Sequence, residues 1–207
     1  MQSSTEELEN KHVKQVYNLI GHRFSSSRHT PWSTLKDFID TLPPDSYVLD
    51  AGCGNGKNMM IRDDLSMIGC DQSATLVDIC CNERGLNVVQ ADIISLPFAD
   101  QAFDAVICVA VLHHIASAER RSLAIKELLR VLKHGGKLFI IVWALEQNLE
   151  KSNKFMRLPN GNNDFLVSWE NTYQRFYHLF DEAEIKKVFP SATISFAKDN
   201  WHITIVK

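Results

Sequence analysis

Asp50 heads the run D-A-G-C-G-N-G, which places glycines at 52, 54 and 56. Alternating glycines suit a turn that needs positive φ and that lets a ligand reach the backbone where a Cβ would stand in the way. Roughly 20 residues on, Asp71 closes a second apolar run, in the register where a carboxylate binds the two hydroxyls of a ribose. Asp92 and Ile93 close a third run, where the carboxylate can bond an adenine amino group and the isoleucine can cover the ring. The alternative for Asp92 is a turn cap. Gln72, beside Asp71, and Val109, at the end of a fourth run, complete the candidate cofactor set of Asp50, Gly52, Gly54, Gly56, Asp71, Gln72, Asp92, Ile93 and Val109. One loop and one ribose carboxylate describe a nucleoside.

The spacing also argues against a dinucleotide. A G-x-G-x-x-G loop offers its third glycine and a helix N-terminus to a pyrophosphate, whereas this loop reads G-x-G-x-G. Asp50 would repel a pyrophosphate and attract a cation. A nucleoside with a cationic tail, S-adenosylmethionine (AdoMet), satisfies both conditions.

Such side chains work only if strand ends hold them together. Short apolar runs at 47–50, 67–70, 87–90, 103–110 and 137–143 alternate with helical segments, which predicts βαβ units on a doubly wound, mostly parallel sheet. Two helices precede it. In the first, Ser4 and Glu7 read as a capping box, Leu8, His12, Val16 and Leu19 recur at helical spacing, and Gly21 is the stop. In the second, Thr30 and Pro31 read as N-cap and first residue of a stripe through Trp32, Leu35, Phe38, Ile39 and Leu42. The span 118–132 is the clearest helix, ended by His134-Gly135-Gly136. A short helix at 181–189 and a hairpin turning on Asp199-Asn200 finish the chain, and the polar stretch 146–163 reads as a mobile loop. The expected organisation is one domain over 1–207, with a helical cap (1–46), a cofactor core (47–143), that loop, and a C-terminal helix and hairpin (164–207).

Composition narrows the class. At 207 residues with 45% hydrophobic and 23% charged content, the chain fits one globular unit. No apolar run reaches the roughly 20 residues of a membrane span, and the polar, acidic start lacks a secretory leader. The expected address is cytoplasm or nucleus. The five cysteines form no C-x-x-C pair, so neither a zinc site nor a disulfide framework is expected. A net charge of −3 gives no overall basic footprint for nucleic acid. Local clusters exist, one at Lys126, Arg130, Lys133, His134 and Lys137 and another at Arg23, Arg28 and His29.

The glycine loop together with Phe103-Asp104-Ala105-Val106 and His134-Gly135-Gly136-Lys137 resembles the class I AdoMet-dependent methyltransferases over 47–142. Other segments resemble one family of that fold, the tRNA wobble-uridine carboxymethyl methyltransferases. They are H-V-K-Q-V-Y from His12, F-S-S-S-R-H-T-P-W from Phe24, M-I-G-C-D from Met67, V-L-H-H-I-A-S-A-E-R-R from Val111, V-W-A-L-E-Q from Val142 and R-F-Y-H-L-F from Arg175. The segment D-F-L-V-S-W-E from Asp164 also resembles a family motif, with Ser168 where proline is more usual, and the stretch before it is shorter than in the family.

The resemblance implies a tRNA substrate whose wobble uridine carries a 5-carboxymethyl group, with its methyl ester as product. It also implies a heterodimer with a small zinc-binding activator protein, for which the third strand, 86–89, at a sheet edge, is the expected docking surface. A carboxylate acceptor is already ionised at neutral pH, so the site must hold an anion rather than supply a strong base. A guanidinium fork does this well. Arg28, Arg121 and Arg175 lie in the family-like segments, and His113 and His114 follow the fourth strand where groups stand over the methyl; these five are the candidate catalytic residues. Each has a structural alternative: Arg120 and Arg121 as a solvated helix face, one histidine as purely structural, and Trp32 as core. Among Tyr17, Phe24, Trp32, Tyr173, Phe176 and Tyr177, one or two can wall the flipped base or the adenine. A small-molecule methyltransferase of the same fold is the competing function.

Overall fold

The computed structural model describes residues 2–147, 149 and 154–207. α1 (Gln2–Glu9) runs through a wider π-helical turn, Asn10–Lys14, into α2 (Gln15–Ser26), so Ser4 lies inside a helix rather than at its cap. Val13, Val16 and Ile20 form the buried stripe, and Leu19 is turned to solvent. Gly21 does not stop the helix. A Cβ there would sit 2.7 Å from Thr75 Cγ2, so the glycine lets α2 cross closely over α4 (Ala74–Asp78). α3 (Ser33–Ile39) begins two residues beyond Pro31, with Trp32 extended at its N-cap, and buries Leu35, Phe38 and Ile39.

The main sheet has seven strands in the order β3-β2-β1-β4-β5-β10-β9: β1 (Tyr47–Ala51), β2 (Ser66–Asp71), β3 (Val88–Gln90), β4 (Phe103–Val109), β5 (Leu132–Trp143), β9 (Thr193–Ala197) and β10 (Asn200–Val206). The first five are parallel, and β10 pairs antiparallel with both β5 and β9. The expected doubly wound sheet with its C-terminal hairpin is therefore present. Its helices are sparse. After the glycine loop only a 3₁₀ turn, Lys57–Met60, stands where a full helix is usual. α5 (Ala118–Val131), capped by Ser117 Oγ on the Arg120 N–H, and α6 (Glu182–Val188), capped by Asp181, pack on the opposite face. The largest core cluster gathers there around Leu49, Phe103, Val106, Ile140, Leu128 and Phe180.

A second sheet was not foreseen. β6 (Phe155–Arg157), β7 (Asp164–Trp169) and β8 (Tyr173–His178) pair antiparallel in that order, so part of the expected 146–163 loop is a strand. The rest of that loop at 148 and 150–153 lies outside the described residues. The small sheet leans on the N-terminal helix through Val13, Leu166 and Phe176. That contact roofs the C-terminal ends of the parallel strands. Among the described residues no helix is long and apolar enough to cross a membrane.

Candidate active site

A cavity of about 390 Å³ opens at the C-terminal ends of β1, β2, β3 and β4, beneath α2 and the small sheet. The glycine loop forms its floor. Gly52, at φ 79°, passes so near Val111 that a Cβ would lie 2.3 Å from Cγ2, and Gly54 donates its N–H to Asp71 Oδ2 at 2.9 Å. Asp71 Oδ1 accepts from the Ser73 N–H at 2.9 Å. Asp71 thus ties the end of β2 to the loop while its carboxylate lines the cavity. Asn55 binds the other side, donating through Nδ2 to the Arg28 carbonyl at 2.9 Å. That bond fixes the segment after α2 to the loop; the side chain's place between two glycines was the available sign of it.

Of the sequence-selected cofactor residues, Gly52, Gly54, Asp71, Gln72, Asp92, Ile93 and Val109 line this cavity. Asp50 and Gly56 lie behind it. Gly56 serves the turn, at φ 74° against Leu86. Asp50 is fully buried, and among the described residues neither of its oxygens has a hydrogen-bond partner. Burial, then the charge of Asp71, pushes its carboxyl up to about 7, while Lys57 opposes the rise. An unpaired buried carboxylate is costly. A cationic group at the loop would relieve it, so the residues present fit the AdoMet ammonium. Leu76, Ile93 and Ile115 supply apolar surface for a base and Asp92 an acceptor.

The other end of the cavity is cationic. Arg28, Lys57 and Arg175 line it with His113, His114, Tyr17, Phe24, Trp32, Trp143 and Tyr177. Arg175 is 6% exposed, and its guanidinium lies over the rings of Tyr17, Trp169 and Tyr177 at 5.9, 4.8 and 5.2 Å. Nη1 donates to the Tyr17 hydroxyl at 3.2 Å, Nε is buried without a partner, and among the described residues no carboxylate pairs with it. Burial, then Arg28, lowers the Lys57 pKa, a repulsion that an anion would relieve.

The histidines are held neutral. His114 Nδ1–H donates to the Phe176 carbonyl at 2.7 Å, so its Nε2 accepts from the Tyr17 hydroxyl at 3.0 Å. Burial pushes His114 down to about 3. His113 Nδ1 accepts from the Trp143 N–H at 3.2 Å, which leaves its proton on Nε2, and burial, then His114, lowers its pKa well below the usual imidazole range.

Arg121 is a correction. It stands outside the cavity, donating to the Ile115 carbonyl at 3.1 Å and pairing with Glu184 at 3.3 Å beside the buried pair His178 and Asp164. Arg120 is not a solvated helix face either, because it clamps Glu9 and Glu6 of α1. Phe176 belongs to the core and Tyr173 stacks under Arg23. The basic cluster from Lys126 to Lys137 sits at the far end of the sheet. There Arg130 is bound to Glu127 and Asp100, and Lys133 to Asp104 at the start of β4. Among the described residues no three His, Cys, Asp or Glu side chains gather to hold a metal.

A methyltransferase-domain family model matches residues 49–140. The chain is 47% identical over 170 residues to the mouse tRNA (carboxymethyluridine(34)-5-O)-methyltransferase ALKBH8, covering 80% of this chain and 26% of that one. It is 34% identical over 229 residues to the tRNA (carboxymethyluridine(34)-5-O)-methyltransferase of Schizosaccharomyces pombe, covering 97% and 98%. The chain spans only 23% to 37% of the length of the animal and plant relatives it matches. In structure it resembles a chain from the complex between the Haloferax volcanii Trm112 methyltransferase activator and the putative methyltransferase, with a TM-score of 0.66 at 17% identity, covering 95% of this chain and 98% of that one.

Proposed function

Since the chain belongs to the tRNA (carboxymethyluridine(34)-5-O)-methyltransferase family, we propose that it transfers the methyl group of AdoMet to the carboxylate of 5-carboxymethyluridine at the tRNA wobble position. The product is the methyl ester. The observation that carries this reading is Arg175, a buried guanidinium without a carboxylate partner among the described residues, in the same cavity as the glycine loop.

AdoMet supplies a methyl on a positively charged sulfur, and transfer to a carboxylate cancels both charges with no proton moved. The chain's part is to bind and align. Arg175 and Arg28 hold the acceptor anion, and the Nε2–H tautomer of His113 offers a neutral donor beside it. His114 has both ring nitrogens engaged, so it positions Tyr17 rather than meeting substrate. Asp71, Asp92 and Ile93 take the nucleoside, and the charge of Asp50, buried behind the loop, attracts the ammonium through it, completing the cofactor role we assign to the glycine loop. Burial under α2 and the small sheet keeps water from the electrophilic methyl.

The edge position of β3 supports a docking surface for a small activator protein, and we assign that partner to it. Five free cysteines support a reducing compartment, cytoplasm or nucleus. The test is transfer of labelled methyl from AdoMet to tRNA, with and without the activator. Label in a base-labile ester on the wobble uridine is expected. Label confined to small metabolites would instead identify a small-molecule enzyme.

A further inference from the structure

Two of the cavity's cations lie over one aromatic ring. Trp169, the last residue of β7, has Arg175 over its ring at 4.8 Å and Arg28 over the same ring at 5.6 Å. The two arginines come from distant parts of the chain. Arg28 follows α2 and is anchored through its carbonyl by Asn55, while Arg175 sits on β8 opposite Val167. The indole also meets Phe24 at 6.1 Å, and Phe24 in turn lies 5.9 Å from the Arg28 guanidinium. The hairpin carrying Trp169 is tied to α2 by the Glu170–Arg23 ion pair at 2.9 Å. Trp169 itself does not line the cavity. Its Nε1–H is buried and unpartnered among the described residues, so its contribution to this corner is the π face.

Two like charges converging on one corner of the cavity repel each other, and each would otherwise swing toward water. A tryptophan face attracts guanidinium groups and offers two sides, so one ring can hold two cations without neutralising either. A carboxylate in Trp169's place would pair with the arginines and remove the charge the acceptor needs.

We infer that Trp169 is a positioning residue that sets the specificity of the site for an anionic acceptor, holding Arg28 and Arg175 in place while leaving both charges free for a carboxylate. This rests on the acceptor reading above. It predicts that the carboxymethyl acid, and not its uncharged amide, depends on Trp169.

The experiment uses the full chain with its activator and an anticodon stem-loop bearing 5-carboxymethyluridine. Trp169→Leu should raise KM for the stem-loop about tenfold or more, the sum of two weakened cation–π contacts, with kcat changed less and AdoMet affinity unchanged. Trp169→Phe should restore most of the KM. An unchanged KM, or a parallel loss of AdoMet affinity, overturns the proposal. A measurement on the unaltered protein covers the case where Trp169→Leu does not fold. The side-chain resonances of Arg28 and Arg175, assigned with single Arg→Lys variants, should show NOEs to the Trp169 indole protons, and absence of those NOEs would overturn the proposal. If the unaltered protein transfers no methyl to the stem-loop, the acceptor reading fails, and those resonances still decide whether Trp169 holds the two arginines.

Discussion

The Tyr17 hydroxyl donates to Nε2 of His114 at 3.0 Å, across 97 positions of sequence, and in the same geometry accepts from Arg175. The histidine's other nitrogen is fixed on the Phe176 carbonyl, so the order of donors is determined from Arg175 through Tyr17 to His114 and β8. Tyr17→Phe removes the middle link and leaves a buried Nε2 and one guanidinium N–H unpaired. Such losses cost about 1–3 kcal/mol each. We expect methyl transfer to fall about 10- to 100-fold, with AdoMet binding retained. Steady-state kinetics beside calorimetric AdoMet titration check this, and equal loss of both would move Tyr17 to the cofactor end.

Arg175 and Arg121 give opposite outcomes although both lie in family-like segments. Arg175→Ala removes a cation with no carboxylate partner among the described residues and should reduce transfer by at least about 100-fold, since a charged hydrogen bond to substrate is worth about 3 kcal/mol, while stability changes little. Arg121→Ala breaks a buried network in which Glu184 also holds His178 and His178 holds Asp164 at 2.6 Å. Removing one partner of such a set costs about 3 kcal/mol. Chemical denaturation should show that loss, with kcat/KM of the folded fraction nearly unchanged.

The contrast between these arginines marks where sequence reading ends. The glycine loop, Asp71 and the alternation of strands with helices rest on local patterns, namely glycines at alternate positions and apolar runs punctuated by helical segments, and a local pattern is visible along the chain, whereas the strand order came with the family resemblance. Whether an arginine is free depends on which acid comes to meet it, and Glu184 arrives from α6 by tertiary packing alone. The small sheet was hidden for a related reason. β7 is buried over Asp164, Phe165, Leu166 and Val167, so it shows no alternation between apolar and polar residues. The indole ring that Arg28 and Arg175 share is legible only once that sheet is folded onto α2.

Asp50 makes cofactor binding pH-dependent. Its carboxyl, raised to about 7, takes up a proton on folding without ligand. That contribution to stability is full below the unfolded value of 3.8 and is lost as pH rises through about 7. A cationic ligand group favours the ionised form, so AdoMet affinity should rise between pH ~6 and ~7.5, before a ligand α-amino group begins to lose its own proton near ~8. Binding near pH 6.5 should release a proton, which calorimetry in buffers of different ionisation enthalpy measures directly. Asp50→Asn should remove both the proton release and the pH dependence and weaken binding. Persistence of either would separate Asp50 from the ammonium.

Gly21 sits where helix propensity and packing oppose each other. In an exposed helix, alanine would stabilise by about 1 kcal/mol over glycine. Here a Cβ would stand 2.7 Å from Thr75 Cγ2, and Thr75 cannot readily turn away because its hydroxyl donates to the Asn18 carbonyl at 2.9 Å. Overpacking of this kind costs about 1–3 kcal/mol, so the clash outweighs the propensity. We expect Gly21→Ala to lower the denaturation midpoint, and Gly21→Ala combined with Thr75→Ser, which deletes the clashing methyl and keeps the hydroxyl, to recover most of the loss. Because α2 carries Tyr17 and Phe24 over the cavity, the single variant should also weaken methyl transfer, and the double variant should restore it. A single variant more stable than the parent would show that α2 and α4 part without cost.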